Sequence, residues 1–411
     1  MRPERGAILL GTLAALYFLQ GLPAGLLADA VPSLGRESGL SREWIGLAGL
    51  AALPWVLKFF WAPWVDRLGR GRPDHRKRWI LGCQAVVMLV LVALALGERA
   101  FWFGAGFPLL LLALLVLNSA SATQDIATDG LAVRRLSHDL RGPGNSVQVV
   151  GYKVGLMFSG GLLLIGNDWI GWRPVLLLML ALSLLLLIPV LRFAEPADTT
   201  PAPAPARPGA GWWSRYFLDF WRRPGLGVWA VLLIGYKIGD GFGSRMIKPF
   251  LVDLGWSQTA IGQLDLISSL VGLAGAVLGG LSLVWLSRRG ALIGFGLLQA
   301  LAFLAWMAAA RGDPSWIWPA ALFEQFADGL STVALFVVMM DYCRPGREGT
   351  DYTLQASLFP LAAGLATLVS GHSATAFGYG GHFLLAAALG GLVIMAALFW
   401  TAPGEADTRH D

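Results

Sequence analysis

Long apolar stretches, separated by short polar ones, recur from one end of the chain to the other. A run of 18 or more apolar residues reads as a spanning helix, because about 20 residues at 1.5 Å each cross the hydrocarbon of a bilayer. Twelve such runs are centred near Ala15, Leu53, Met88, Ala113, Leu156, Ala181, Ile234, Gly272, Leu298, Leu330, Ala363 and Leu389. Nothing outside them is long enough to make a water-soluble domain. The pattern predicts an all-α membrane protein of twelve transmembrane helices.

The alternation fails once, at EPADTTPAPAPARPGAGWWSRYFLDFWRRP, residues 195–224. The PAPAPA tract cannot be helical and reads as a semi-rigid spacer. The following GWWSRYFLDFWRR mixes aromatics with arginines, so it is either a short helix on the membrane surface or a plain polar linker. This break predicts an N-terminal six-helix half (1–194), a cytoplasmic linker (195–224) and a C-terminal six-helix half (225–411). The halves share local features. Each has a basic loop between its second and third helices and acids in its fourth, and each has a Gln early in its fifth, Gln148 and Gln355. Two pseudo-symmetric six-helix halves are the pattern of major facilitator transporters, which bind cargo near the midplane between the halves. GxxxG spacings at Gly21/Gly25 and Gly275/Gly279 predict close helix approach.

Composition fits this class. The chain is 56% hydrophobic and 14% charged, against about 25% charged in soluble domains. With both termini placed in the cytoplasm, 21 of the 31 Lys and Arg fall on the inside and 7 on the outside, as the positive-inside rule requires. The net charge of +5 is therefore a topology signal and not a sign of nucleic acid binding. MRPERG, an apolar run and Ala28-Asp29-Ala30 imitate a secretory signal; we expect the segment to stay as the first helix. Cys83 and Cys343 offer no disulfide framework, and five scattered His residues form no metal site. No ATP-binding phosphate loop and no hydrolase motif is present. The chain reads as a non-enzyme without cofactor, driven by an ion gradient.

The chemistry must lie in charges inside the apolar runs, which are costly in lipid and face the bundle interior. Asp125 and Asp129 share one face of the fourth helix, four residues apart. Lys153, at a similar depth on the fifth helix, is the natural partner for Asp125, which makes Asp125 either a structural stitch or a proton site. Asp129 has no evident partner and can cap or exchange protons. The second half repeats the theme with Lys237 and Asp240 in its first helix and Glu324 and Asp328 in its fourth. Lys58 can snorkel, pair with an acid or bind cargo. In the second loop, Asp66-Arg67-Leu68-Gly69-Arg70 resembles the D-R-x-G-R core of the major facilitator loop, a charged latch that holds one gate state.

Longer motifs sharpen the resemblance. Gln20-Gly21-Leu22-Pro23, Leu53-Pro54-Trp55-Val56-Leu57-Lys58, Gln124-Asp125-Ile126, Gly151-Tyr152-Lys153-Val154-Gly155 and Tyr236-Lys237-Ile238-Gly239-Asp240 resemble the AmpG-like branch of the major facilitator superfamily. That branch includes muropeptide permeases, acetyl-CoA transporters and siderophore permeases of the RhtX/FptX type. The GTDYTLQ segment at Gly349–Gln355 and the twelve-helix length resemble the siderophore group most.

The resemblance implies a bacterial inner-membrane importer, proton-coupled, working by alternating access on a siderophore or metal–siderophore. The alternative cargo is an anhydromuropeptide. Gln20, Gln124, Gln148, Tyr152, Lys153, Tyr236, Lys237 and Gln355 are the expected cargo contacts. Asp125, Asp129, Asp240, Glu324 and Asp328 are the expected proton-coupling acids, and Asp66, Arg67, Arg70 and Lys58 the gate. Expected partners are the cargo, protons and the lipid bilayer. An acetyl-CoA-dependent acyltransferase would need a base near a bilayer face, and no His sits beside an acid deep in a helix.

Overall fold

A computed structural model describes residues 3–197 and 212–403. Eleven helical segments among the described residues are long and apolar enough to cross a membrane. In chain order they are α1 (Gly6–Glu37), α2 (Glu43–Phe60), α3 (His75–Leu96), α4 (Phe107–Arg135), α5 (His138–Ile170), α6 (Trp172–Arg192), α7 (Leu226–Asp253), α8 (Gln258–Ser282), α9 (Arg288–Ala310), α10 (Pro314–Asp341) and the segment Glu348–Ala397. That last segment has 50 residues and breaks at Gly378, whose φ of 68° and ψ of 170° are non-helical. A straight helix of this length would measure about 75 Å, enough for two crossings. It is therefore α11 (348–377) and α12 (379–397), and the twelve-helix reading stands. The PAPAPA tract lies outside the described residues; Trp212–Trp221 after it is helical.

Two irregularities position functional groups. The α2 segment tightens into 3₁₀ turns at Gly49–Ala52 and Lys58–Phe60. Pro54 and Pro63 start the helical pieces that follow, the second of which, Ala62–Arg67, carries α2 onward. Proline is tolerated in the first turn, where its missing N–H costs nothing, but it breaks the ladder before it. α1 and α5 each contain a π turn, at Leu26–Ala30 and Phe158–Leu162, and these two turns pack on each other.

The helices pack as two compact units. The first holds the described residues within Met1–Ser137, Val147–Pro201 and Cys343–Thr353. In it α3 packs on α4 and α6, and α1 packs on α4, α5 and α6. Its buried core runs from Leu16, Leu22 and Leu26 through Leu110, Leu114 and Leu117 to Leu176 and Met179. Gly21 and Gly25 let α1 approach α5: a Cβ on either would overlap the backbone carbonyl of Tyr152 or Leu156. The second unit holds the described residues within His138–Ser146, Ala202–Tyr342 and Leu354–Asp411. There α10 packs on α8 and α9, with Gly275 directly under the Phe326 carbonyl. Both GxxxG spacings thus serve close packing. Phe250, Trp306 and Phe383 form an aromatic core, with ring centroids 5.9–6.4 Å apart.

Each unit borrows a short segment from the other half of the sequence. The start of α5 packs in the second unit, and the α10–α11 loop with the first turn of α11 packs in the first.

Candidate functional site

Each unit buries a polar centre among its described residues. In the first unit, Lys58 from the 3₁₀ turn of α2 forms an ion pair with Asp125 of α4. Lys153, expected beside Asp125, is half-buried on α5. The irregular turn of α2 brings Lys58 to the acid, one of the roles open to that lysine. The lysine also lies 5.3 Å from the centre of the Trp55 ring, a cation–π arrangement. Trp55 in turn meets Tyr152 edge-on at 6.4 Å and donates to Asn118 Oδ1 at 2.9 Å.

Asp129, one turn along α4, does have partners. Tyr17 of α1 donates its hydroxyl to Oδ1 at 2.8 Å, and Gln148 Nε2 donates to the same oxygen at 3.3 Å. Tyr352 donates to Gln148 Oε1 at 3.2 Å. A Tyr352–Gln148–Asp129–Tyr17 chain results, of which sequence reasoning found only Gln148 and Asp129. Gln84 of α3 donates to Gln124 Oε1 at 2.5 Å. Gln20 Nε2 and Gln124 Nε2 are buried without an acceptor.

In the second unit, Lys237 lies at a break in α7 between Leu226–Gly235 and Ile238–Ser244. Its Nζ donates to Asp328 Oδ1 at 2.7 Å, Ser331 Oγ at 2.7 Å and Gln299 Oε1 at 3.3 Å. Thr332 donates to the same Asp328 oxygen at 3.2 Å. Asp240 faces this group and Glu324 as well, and its Oδ1 is buried without a hydrogen bond. Glu324 accepts from Gln325 at 3.0 Å. This centre opens on a cavity of about 610 Å³. Asp240, Asp265, Glu324 and Asp328 line it together with Lys237, Arg245 and Lys248. Sequence reasoning found Lys237, Asp240, Glu324 and Asp328. It missed Arg245, Lys248 and Asp265, which lie toward the helix ends and looked like ordinary loop charges.

Two expected cargo contacts lie elsewhere. Tyr236 donates its hydroxyl to Leu292 O at 2.8 Å. Gln355 accepts from Trp229 Nε1 at 2.8 Å and donates to Met339 O at 3.0 Å, which occupies both ends of its amide. Neither residue lines the cavity.

The residues expected to form a gate lie in the first unit. Asp66 caps the N-terminus of α11: Oδ1 accepts from Gly349 N at 3.2 Å, and Oδ2 accepts from Thr350 N and Thr350 Oγ1, each at 2.7 Å. The first amides of a helix have no partner of their own, and its dipole favours a carboxylate there. Burial pushes the Asp66 carboxyl up to about 6, against the opposing pull of Arg76 and the Thr350 donors. Arg70 donates to Gly346 O at 2.6 Å. Arg67 closes the helix Ala62–Arg67. Glu348 receives Arg76 at 3.0 Å and Arg134 at 2.9 Å, and Arg76 also pairs with Glu195 at 3.3 Å. The second unit has a counterpart, in which Arg141 of α5 pairs with Asp341 of α10, which Arg288 of α9 also holds at 2.9 Å. Glu195, Glu348, Arg141, Asp341 and Arg288 went unread in the sequence because each sits at a helix end, where a charge is ordinary.

Comparison with known proteins identifies the family and the fold. The sequence profile of the Major Facilitator Superfamily matches residues 13–354. The chain is 28% identical to the anhydromuropeptide permease of Escherichia coli over 95% of its own length and 79% of that protein's. It is 25% identical to a Rickettsia conorii protein named transporter AmpG 4, over 90% of this chain and 91% of that one. Among solved structures it resembles the human organic anion transporter MFSD10, with a TM-score of 0.73 at 18% identity, covering 97% of this chain and 100% of that one. The Escherichia coli fucose:proton symporter FucP gives 0.70 at 14%, covering 95% and 98%. At these identities the structural likeness speaks for the fold.

Proposed function

The chain belongs to the major facilitator superfamily and is a multi-pass membrane transporter, and we propose that it is a proton-coupled permease of the bacterial inner membrane for cargo of the anhydromuropeptide class. Similarity to the Escherichia coli anhydromuropeptide permease along 95% of the chain supports this cargo. The observation that carries the reading is the mixed-sign cavity of the second unit. A muropeptide joins a sugar to a short peptide, so it presents hydroxyls, amides and carboxylates together with an amine. Four acids and three bases in one cavity complement that mixture better than they complement an ion of single sign.

The siderophore expectation rested on GTDYTLQ and on the twelve-helix length. Thr350 donates to Asp66, Asp351 pairs with Arg344 at 2.7 Å, and Gln355 ties Trp229 to Met339. These residues are engaged in folding α11, so their likeness to siderophore permeases carries little about cargo. Transport by alternating access must open one side while the other is closed. The Asp66 cap of α11 is the bond that such a step would release.

Purified protein in liposomes tests the reading. With an inward proton gradient, labelled anhydromuropeptide should accumulate, and an uncoupler should abolish the accumulation. Accumulation of iron-labelled siderophore without muropeptide would overturn the cargo assignment, and muropeptide accumulation untouched by the uncoupler would overturn proton coupling.

A further inference from the structure

A second cavity, of about 730 Å³, lies in the first unit and takes no part in the polar centre. It is a groove between α3 and α4, closed at one end by the α2–α3 loop. Its walls are apolar: Val86 of α3 and Leu115 and Val116 of α4 are 37–41% exposed within spanning segments. Exposed apolar side chains at this depth meet acyl chains, because no water is there to avoid. Along α3 the groove runs from His75 to Val86, about 16 Å of helix. Gly82 forms part of its floor, and a Cβ built there meets nothing within 4 Å.

The mouth has the opposite character. Arg72 and Arg78 line it, and both are exposed. Every other arginine of this loop is engaged: Arg70 binds Gly346 O and Arg76 binds Glu195 and Glu348, while Arg67 also has an interaction partner. The guanidinium groups of Arg72 and Arg78 enter no ion pair or hydrogen bond among the described residues. Trp79 stands beside them with its Nε1 donating to Leu68 O at 3.1 Å, so the indole is held at the level where tryptophans meet headgroups. Guanidinium groups bind phosphate oxygens bidentately, and basic pockets at the mouths of grooves between spanning helices take anionic headgroups.

We propose that this groove is a binding site for an anionic glycerophospholipid, its phosphate held by Arg72 and Arg78 and one acyl chain laid over Gly82 between Val86 and Val116. The lipid belongs to the leaflet on the side of the arginine-rich loop. Its headgroup contacts the loop whose remaining charges hold α11, so the lipid steadies the gate from outside. A zwitterionic lipid fits the apolar walls equally well but brings a cation to the two arginines.

Cys83 lines the groove and is 8% exposed, which supplies a readout in the full-length protein. In a Cys343→Ser background in detergent, added phosphatidylglycerol should slow labelling of Cys83 by N-ethylmaleimide several-fold more than phosphatidylcholine does. Replacing both arginines (Arg72→Gln with Arg78→Gln) should remove the preference for the anionic lipid, a loss of roughly thirtyfold for two basic contacts at a membrane surface. Gly82→Leu should fill the groove without strain and cut binding of both lipids, measured as labelled lipid retained through gel filtration. Equal protection by the two lipids overturns the headgroup assignment. Equal protection by inorganic phosphate, with Gly82→Leu without effect, overturns the lipid and leaves a free-anion site.

Discussion

Each unit buries one lysine against one aspartate, and the two pairs differ in what surrounds them. Lys58 and Asp125 have side chains only 6% and 9% exposed. Lys237 is equally buried, but Asp328 is 19% exposed and shares a cavity with Asp240 and Glu324. A sealed ion pair adds little stability over apolar replacements, yet removing one partner strands the other charge. The first pair has the burial of a structural stitch, which is most valuable when intact. The second can exchange contacts, because Lys237 also has Ser331 and Gln299, and Asp328 can turn to water or cargo. The same inversion holds at the loops. In the first unit the incoming helix α11 brings Glu348 to Arg76 and Arg134, whereas in the second the incoming helix α5 brings Arg141 to Asp341.

The largest expected effect tests the stitch. Lys58→Met should destabilise the protein by about 3–5 kcal/mol, the cost of an uncompensated buried charge, measured as thermal unfolding in detergent. Lys58→Met with Asp125→Leu should recover most of that loss. A neutral single variant, or a double variant as unstable as the single, would break the comparison. Lys237→Met should cost less, about 1.5–3 kcal/mol for lost charged hydrogen bonds, while abolishing uptake.

A smaller effect comes from the cap of α11. Asp66 titrates near 6 when folded, against 3.8 ordinarily. The folded state therefore binds the proton more tightly than the unfolded state. Stability from this group is greatest below about pH 4, falls as pH rises towards 6, and stays lost above it. The full swing is at most about 3 kcal/mol at 1.36 kcal/mol per pH unit. Wild type should lose more stability than Asp66→Asn between pH 4 and pH 7. Identical pH profiles would show that burial of this carboxylate is relieved in solution.

The spans and the intramembrane acids were readable because both follow from local pattern: apolar run length, and charge within a run. That Lys58 reaches Asp125 was readable only as one of several roles for that lysine. Depth counted at about 1.5 Å per residue suits straight helices. In α2, 3₁₀ turns rise about 2.0 Å per residue at three residues per turn and prolines interrupt the ladder, so the face on which Lys58 emerges does not follow from that count. The gate was half readable. Asp66 was marked by its motif, but its partners are backbone amides of Gly349 and Thr350, which no side-chain pattern reports. Tyr17 was missed because a tyrosine in an apolar run looks like packing, and Tyr352 because it was read only as part of the GTDYTLQ motif.

Asp129 separates the two kinds of centre most finely, because it belongs to the sealed unit yet its hydrogen-bond donors, Tyr17 and Gln148, are neutral. Asp129→Asn keeps an acceptor oxygen for Tyr17 and Gln148, so stability should change by no more than about 1 kcal/mol, the net worth of one hydrogen bond. If Asp129 carries the proton, gradient-driven accumulation should fall to the level of simple equilibration while exchange of cargo across the membrane continues. If the variant still accumulates cargo, the first unit holds only stitches and coupling falls to Asp240 and Glu324, whose Asn and Gln variants should then uncouple transport. A large loss of stability in Asp129→Asn would mean that the negative charge itself holds α1 to α4, and the contrast between a sealed unit and an exchanging one would extend to every acid of the first unit.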